Sequence, residues 1–390
     1  MPKPKKVAVM LDLEWPYKRH VGILSGAHRY SVEQGWRLIV DEYADELLRA
    51  RTANPIPYDG IIARVKRTLG SKIAFLKVPV VNVMASSPMW NLLPGVFPDY
   101  VTSGRLRAEH LLSRGLRQFC ALTARGDRAD ILEMQGFTST LKDAGFSCHS
   151  ITISQNPTST LKDWRKTQKT ISEWMEAWKL PIGVFIASES DGRIVTQMCA
   201  NHSWRVPDDV AIIAGRNEET LCEGFHPTLS SVEMGYERIG YEAARLLDQL
   251  MNGKVPPKKP VLLPPQGIVA RESTDFYAVD DKLITAALRY IAEKSHLKIG
   301  QDDVAEAVAT ETRTLQRRFK KLLKRPIVAE IRRVRIERAK RALVQSEHSL
   351  AEIAHDVGFG ESMRMYEVFK RELGVTPSQY RRERQGAKSD

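Results

Sequence analysis

The chain has 390 residues, 43% of them hydrophobic, and a formal net charge of +12. That length exceeds one ordinary domain and supports two or three, and the composition excludes a disordered or fibrous chain. No run approaches the roughly 18 apolar residues of a membrane helix, and Cys120, Cys148, Cys199 and Cys222 are too scattered for a zinc site or a disulfide framework, which fits a reducing cytoplasm.

The first apolar run, residues 7–13, meets Asp12 and then Glu14, so it lacks the apolar stretch of a secretion signal. It reads instead as a buried strand, and similar runs follow at 36–40, 60–65, 78–84, 118–123, 183–187 and 210–214, with amphipathic helical stretches between them. This alternation predicts an α/β fold of parallel sheets, with ligands at the carboxyl ends of the strands. Residues 1–272 are too many for one sheet, so two lobes with a cleft between them are expected. On loops that follow strands, Asp12, Glu14, Trp15, Arg64 and Met84 are the effector candidates of the first lobe, and Glu133, Glu189, Arg216 and Asn217 those of the second. An aromatic such as Trp15 suits the apolar face of a sugar, and the charged groups suit its hydroxyls.

Asp99 can cap a helix that Gly104 lets pack closely and Gly115 stops. The run Asp99-x4-Gly104-Arg105-x3-Glu109-His110-Leu111-x3-Gly115, followed by Phe119-x-Ala121-Leu122, resembles the inter-lobe segment of the LacI-type regulators. Gln135-Gly136-Phe137 and Pro227-Thr228-Leu229-Ser230-Ser231-Val232 fall in the same order. The resemblance implies a periplasmic-binding-protein-like sensor whose first crossover lies near residues 115–117. Sugar sensors of this type usually place Arg where Glu133 stands, Asp at Glu189 and Asp at Arg216. Two of these changes reverse the charge, which is compatible with a swapped ion pair, with selection of an acidic sugar, or with loss of the pocket.

Beyond a linker at 273–281, an all-α domain is expected over 282–384, with a disordered tail at 385–390. Val304-Ala305-Glu306-Ala307-Val308-Ala309 recurs in outline as Ile353-Ala354-His355-Asp356-Val357-Gly358. Each copy precedes a helical run with an inward apolar pair, Leu315 with Phe319 and Met365 with Phe369. Two helix-turn-helix units result, each launching a second helix toward a DNA major groove. Thr312, Arg313, Gln316, Arg317 and Lys320 would face the groove from the first unit, while Lys321 and Arg325 would hold phosphates. Ser362, Met363, Arg364 and Tyr366 would face it from the second, where Glu361 and Glu367 weaken the attraction. Residues 280–390 carry 24 basic against 17 acidic side chains, and residues 313–341 thirteen against two, a density that suits phosphates. A helix over 328–345 would hold the units rigidly, with their probes in successive grooves roughly 34 Å apart.

Thr314-Leu315-Gln316-Arg317-Arg318-Phe319-Lys320 and Gly374-Val375-Thr376-Pro377-Ser378-Gln379-Tyr380-Arg381 resemble the AraC family. Its first turn often has Gly where this chain has Ala309, and a positive φ there would cost alanine on the order of 1 kcal/mol. An AraC-type reader behind a LacI-type sensor is similar to the xylose operon regulator family. That resemblance implies a transcription regulator without cofactors, activating a carbohydrate operon for xylose or a related sugar. Its partners would be a double-stranded operator, a sugar or sugar-acid effector, a second copy of the chain and RNA polymerase, with no membrane partner. Two alternatives remain open: a degenerate sensor pocket kept for dimerisation, and a sugar-processing α/β enzyme tethered to DNA. The enzyme reading lacks a phosphate loop, an H-E-x-x-H pattern and any metal-ligand spacing among the histidines.

Overall fold

In the computed structural model, residues 3–13, 18–44, 58–66, 78–155, 157–275, 281–323, 325–346 and 348–385 are described. Glu14, Trp15 and the tail beyond Gln385 lie outside them, as does most of the expected linker. The chain divides into two units, Met1–Asp275 and Phe276–Asp390.

The first unit alternates strand and helix as its hydrophobic runs require. In chain order its elements are β1 (Lys6–Met10), α1 (Lys18–Glu33), β2 (Arg37–Val40), β3 (Gly60–Ala63), β4 (Val80–Asn82), β5 (Val96–Pro98), α2 (Tyr100–Ser113), β6 (Phe119–Ala124), α3 (Arg128–Asp143) and β7 (His149–Ile153). There follow α4 (Leu161–Glu176), β8 (Ile182–Ile186), α5 (Glu189–Asn201), β9 (Val210–Ala214), α6 (Glu219–Glu223), β10 (Ser231–Glu233), α7 (Tyr236–Met251), β11 (Val261–Leu263) and β12 (Gly267–Val269). Two four-stranded parallel sheets form, ordered β2-β1-β3-β4 and β7-β6-β8-β9. Strands β1, β3, β8 and β9 are almost wholly buried because helices cover both faces. The pairs β5 with β11 and β10 with β12 carry the chain between the lobes.

The first crossing falls at Asp99 and not near residues 115–117. Helix α2, capped by the Asp99 side chain on the Thr102 amide, packs along α3 of the second lobe. Its approach is so close that a Cβ on Gly104 would sit 1.9 Å from the Glu133 carbonyl, and one on Gly136 2.0 Å from that of Val101. Only glycine permits this backbone contact. The sensor also extends past 272, since Ser273 and Thr274 are fully buried and the Ser273 hydroxyl donates to the Ile212 carbonyl at 2.6 Å.

The second unit is helical: α8 (Lys282–Lys294), α9 (Gln301–Ala307), α10 (Thr312–Leu323), α11 (Ile327–Gln345), α12 (Leu350–Asp356), α13 (Ser362–Leu373) and α14 (Pro377–Gln385). It holds two small cores. Val304, Ala305, Leu315 and Phe319 pack with α8 in one, and Ile353, Ala354, Met365 and Phe369 pack with Phe359 and Tyr380 in the other. Helix α11 serves both, giving Ile327 and Ile331 to the first and Ile336, Ala339 and Leu343 to the second.

The two turns share their hydrogen bonds. Thr310 and Phe359 donate to the carbonyls of Ala305 and Ala354, and Ala309 and Gly358 to those of Glu306 and His355. Ala309 holds φ at 51° and Gly358 at 90°, so the alanine does adopt the left-handed conformation. The second turn is one residue longer, with Gly360 at φ 81° as the insertion.

Candidate effector cleft and nucleic-acid interface

Strand ends of both lobes meet around a cavity of about 320 Å³. The first lobe lines it with Arg19 and His20 at the start of α1, Arg64 after β3, and Met84, Ser86, Ser87 and Pro88 after β4. From the second come Gly126, Asp127 and Arg128, where β6 passes into α3, and Gln155 after β7. Asp127 spends its carboxylate on the α3 N-terminus, accepting from the Asp130 amide at 3.2 Å. The Arg128 guanidinium lies 4.3 Å over the Trp90 ring. His20 Nδ1 bonds the Asp12 carbonyl, and its pKa is lowered: burial drives it down, the Asp12 carbonyl opposes this, and the Arg19 and Arg64 charges reinforce it. A neutral imidazole among three guanidiniums leaves the described lining net positive.

Of the effector candidates, Arg64 and Met84 line this cavity, and Asp12 contributes only its carbonyl to His20. The second-lobe candidates are drawn elsewhere. Glu133 is fully buried, its Oε1 accepting from Ser103 Oγ at 2.7 Å and Arg107 Nη2 at 3.1 Å, and its Oε2 from Arg216 Nη2 at 2.8 Å. Arg216 also donates to Asp130 Oδ1 at 2.7 Å and lies over the Tyr100 ring. Burial works against the Glu133 charge, but Arg107 and Arg216 outweigh it and hold the carboxyl below its ordinary range. Asp130 goes the other way, raised by burial despite Arg216. Two guanidiniums thus balance two carboxylates.

Glu189 and Asn217 shape the loop after β9. Glu189 Oε1 accepts from the amides of Arg216 at 2.5 Å and Glu218 at 3.0 Å. The Asn217 amide bonds Glu233 at 2.8 Å, and its carbonyl accepts from Arg271 at 2.8 Å. The same loop reaches α1 of the first lobe, because the Lys18 amide donates to Glu218 at 2.9 Å, and Lys18 Nζ donates to Glu219 at 2.9 Å and Glu233 at 2.7 Å. Arg19, Asp127, Arg128 and Gln155 were not among the sequence candidates. The rule that selected Arg64 selects Arg128 and Gln155 too, since each follows a strand.

In the second unit the expected reading faces are exposed. Arg313, Gln316, Arg317, Lys320 and Lys321 project from α10, and Ser362, Met363, Arg364 and Tyr366 from α13, with Met363 63% and Tyr366 44% exposed. Thr312 and Gln316 are tied to α9, donating to Asp302 at 2.8 Å and Gln301 at 2.7 Å. Arg325 differs from its expected role, as it pairs with the fully buried Glu330 at 2.6 Å. Much of the basic stretch is likewise spent inside the protein. Arg333 joins Glu330, Arg332 pairs with Glu372, Arg335 donates to the carbonyls of Ser295 and Leu297, and Arg338 to that of Ala292. Counting charges along a helix does not separate guanidiniums that cap carbonyls from those that face solvent.

The family model for a periplasmic binding protein-like domain matches residues 108–274, and that for a helix-turn-helix domain matches residues 304–383. The xylose operon regulatory protein of Haemophilus influenzae is 27% identical over 96% of this chain and 98% of its own, and that of Escherichia coli K12 is 24% identical over 97% of both. Among solved structures, a xylose-binding transcription activator superposes with a TM-score of 0.59 at 23% identity, covering 97% of this chain and 98% of that one. The transcriptional regulator CelR in complex with cellobiose gives 0.56 at 22% identity over 70% of this chain and 86% of that one. These two superpositions show a shared fold.

Proposed function

We propose that this chain, a periplasmic-binding-protein-like sensor joined to a double helix-turn-helix reader, is a cytoplasmic, sequence-specific DNA-binding regulator of a sugar-utilisation operon. The observation that carries this reading is the repeated unit: two short-helix crossings with the same turn hydrogen bonds, each presenting an exposed second helix from one shared support. Arg313 and Arg317 suit guanine, Gln316 adenine, and Met363 and Tyr366 thymine methyls, while Lys320 faces the groove and Lys321 holds phosphates. The sensor binds a carbohydrate-type effector between its lobes. By analogy with the named relatives the regulator activates transcription, working as a homodimer that engages RNA polymerase. The degenerate-pocket alternative draws support from the burial of Glu133, but the open cavity beside it favours a working sensor.

Selection of random DNA duplexes by the full chain tests this reading. Two short motifs on one DNA face, roughly 10 base pairs between centres, are expected. Uniform recovery of all duplexes would refute it.

A further inference from the structure

The charge network of the second lobe has a consequence for what the cleft recognises. Arg216 and Glu133, which a sugar-binding second lobe would turn toward the ligand, neutralise each other and Arg107 and Asp130 instead. Among the described residues, the side chains that line the cavity are then net positive: Arg19, Arg64 and Arg128, with a neutral His20 and an Asp127 that caps α3. Arg64 and Arg128 make no ion pair among the described residues, and the Arg128 guanidinium is steadied over the Trp90 ring. Arg64 and Arg128 reach a cavity large enough for a pentose from opposite lobes. They match the oxygens of a carboxylate or phosphate, which guanidinium binds bidentately.

We propose that the effector of this cleft is an anionic sugar derivative, a sugar acid or a sugar phosphate, held by Arg64 of the first lobe and Arg128 of the second. This rests on the sensor reading above. An anion clamped between arginines of opposite lobes also favours the closed arrangement, because it is doubly paired only when the lobes are together.

Isothermal titration calorimetry of the full chain with D-xylose, D-xylonate and ribose 5-phosphate tests the proposal. One of the two anions is expected to bind at least tenfold more tightly than D-xylose, and the choice between them distinguishes carboxylate from phosphate. Arg64→Gln and Arg128→Gln should each weaken that anion by roughly tenfold or more, the loss of a charge-assisted bond, and weaken D-xylose by a smaller factor. Equal or tighter binding of D-xylose, anion binding indifferent to both substitutions, or no binding by any of the three would overturn it. DNA selection by the unsubstituted chain is scored separately, so a regulator that reads DNA but prefers a neutral sugar refutes this proposal alone, and a chain that binds the anion but selects no DNA refutes only the regulator reading.

Discussion

Ala309 sits at φ 51°, a conformation that costs an L-residue with a Cβ on the order of 1 kcal/mol. Its side chain is exposed and the equivalent position in the second unit is Gly358. Ala309→Gly is therefore expected to raise stability by up to about 0.5 kcal/mol, the relieved strain exceeding the added entropy of the unfolded chain; urea denaturation of the reader would show it as a higher midpoint with an unchanged slope. Glu133 tests the opposite case. Removing one of the two carboxylate charges from this buried, paired cluster leaves Arg107 without its ion pair and Arg216 with Asp130 alone, so Glu133→Gln should cost about 3–5 kcal/mol at neutral pH. Because the folded pKa of Glu133 lies below its ordinary value of 4.5, its contribution is fully present above pH 4.5 and fades as pH falls through the folded value. The gap between the two proteins should narrow in acid, and a gap constant down to pH 3 would contradict this account.

At the level of elements, α10 and α13 repeat one another but differ in charge, α10 carrying five basic residues and no acid, α13 three basic residues and two acids. Arg317 projects from the middle of α10, and Lys321 from its last turn. Arg317→Ala should lower operator affinity by about 1–3 kcal/mol and relax preference at one base pair. Lys321→Ala should weaken all duplexes alike and reduce the salt dependence by about one counterion. Equal effects of the two changes on every sequence would refute the distinction. The sequence made these helices legible because their inward pairs, Leu315 with Phe319 and Met365 with Phe369, obey helical spacing. It did not make the arginines of α11 legible. Arg335 and Arg338 look like phosphate contacts until the loop carbonyls they cap come into view, and those carbonyls lie some forty positions away in the chain.

On the scale of the whole molecule, two units with separate cores should unfold as separate transitions in calorimetry. An effector at 100 times its Kd is expected to add about 2.7 kcal/mol to the sensor transition, and operator DNA to raise the other. One merged transition would argue against independent cores. The strand runs that build each parallel sheet were readable as continuous apolar segments. The short strands 96–98, 231–233 and 267–269 were not, because three residues carry too little periodicity. The cleft was half readable: Arg64 and Met84 follow strands of the first lobe, whereas the withdrawal of Glu133 depends on Gly104 and Gly136 bringing two helix backbones together. The single long helix that fills both small cores has a last implication. With one rod fixing the pitch between the probes, adding about half a helical turn of DNA between the two motifs would swing one of them to the far side of the duplex. A reader held on that rod is expected to bind such a duplex more weakly, and so to measure length as well as letters.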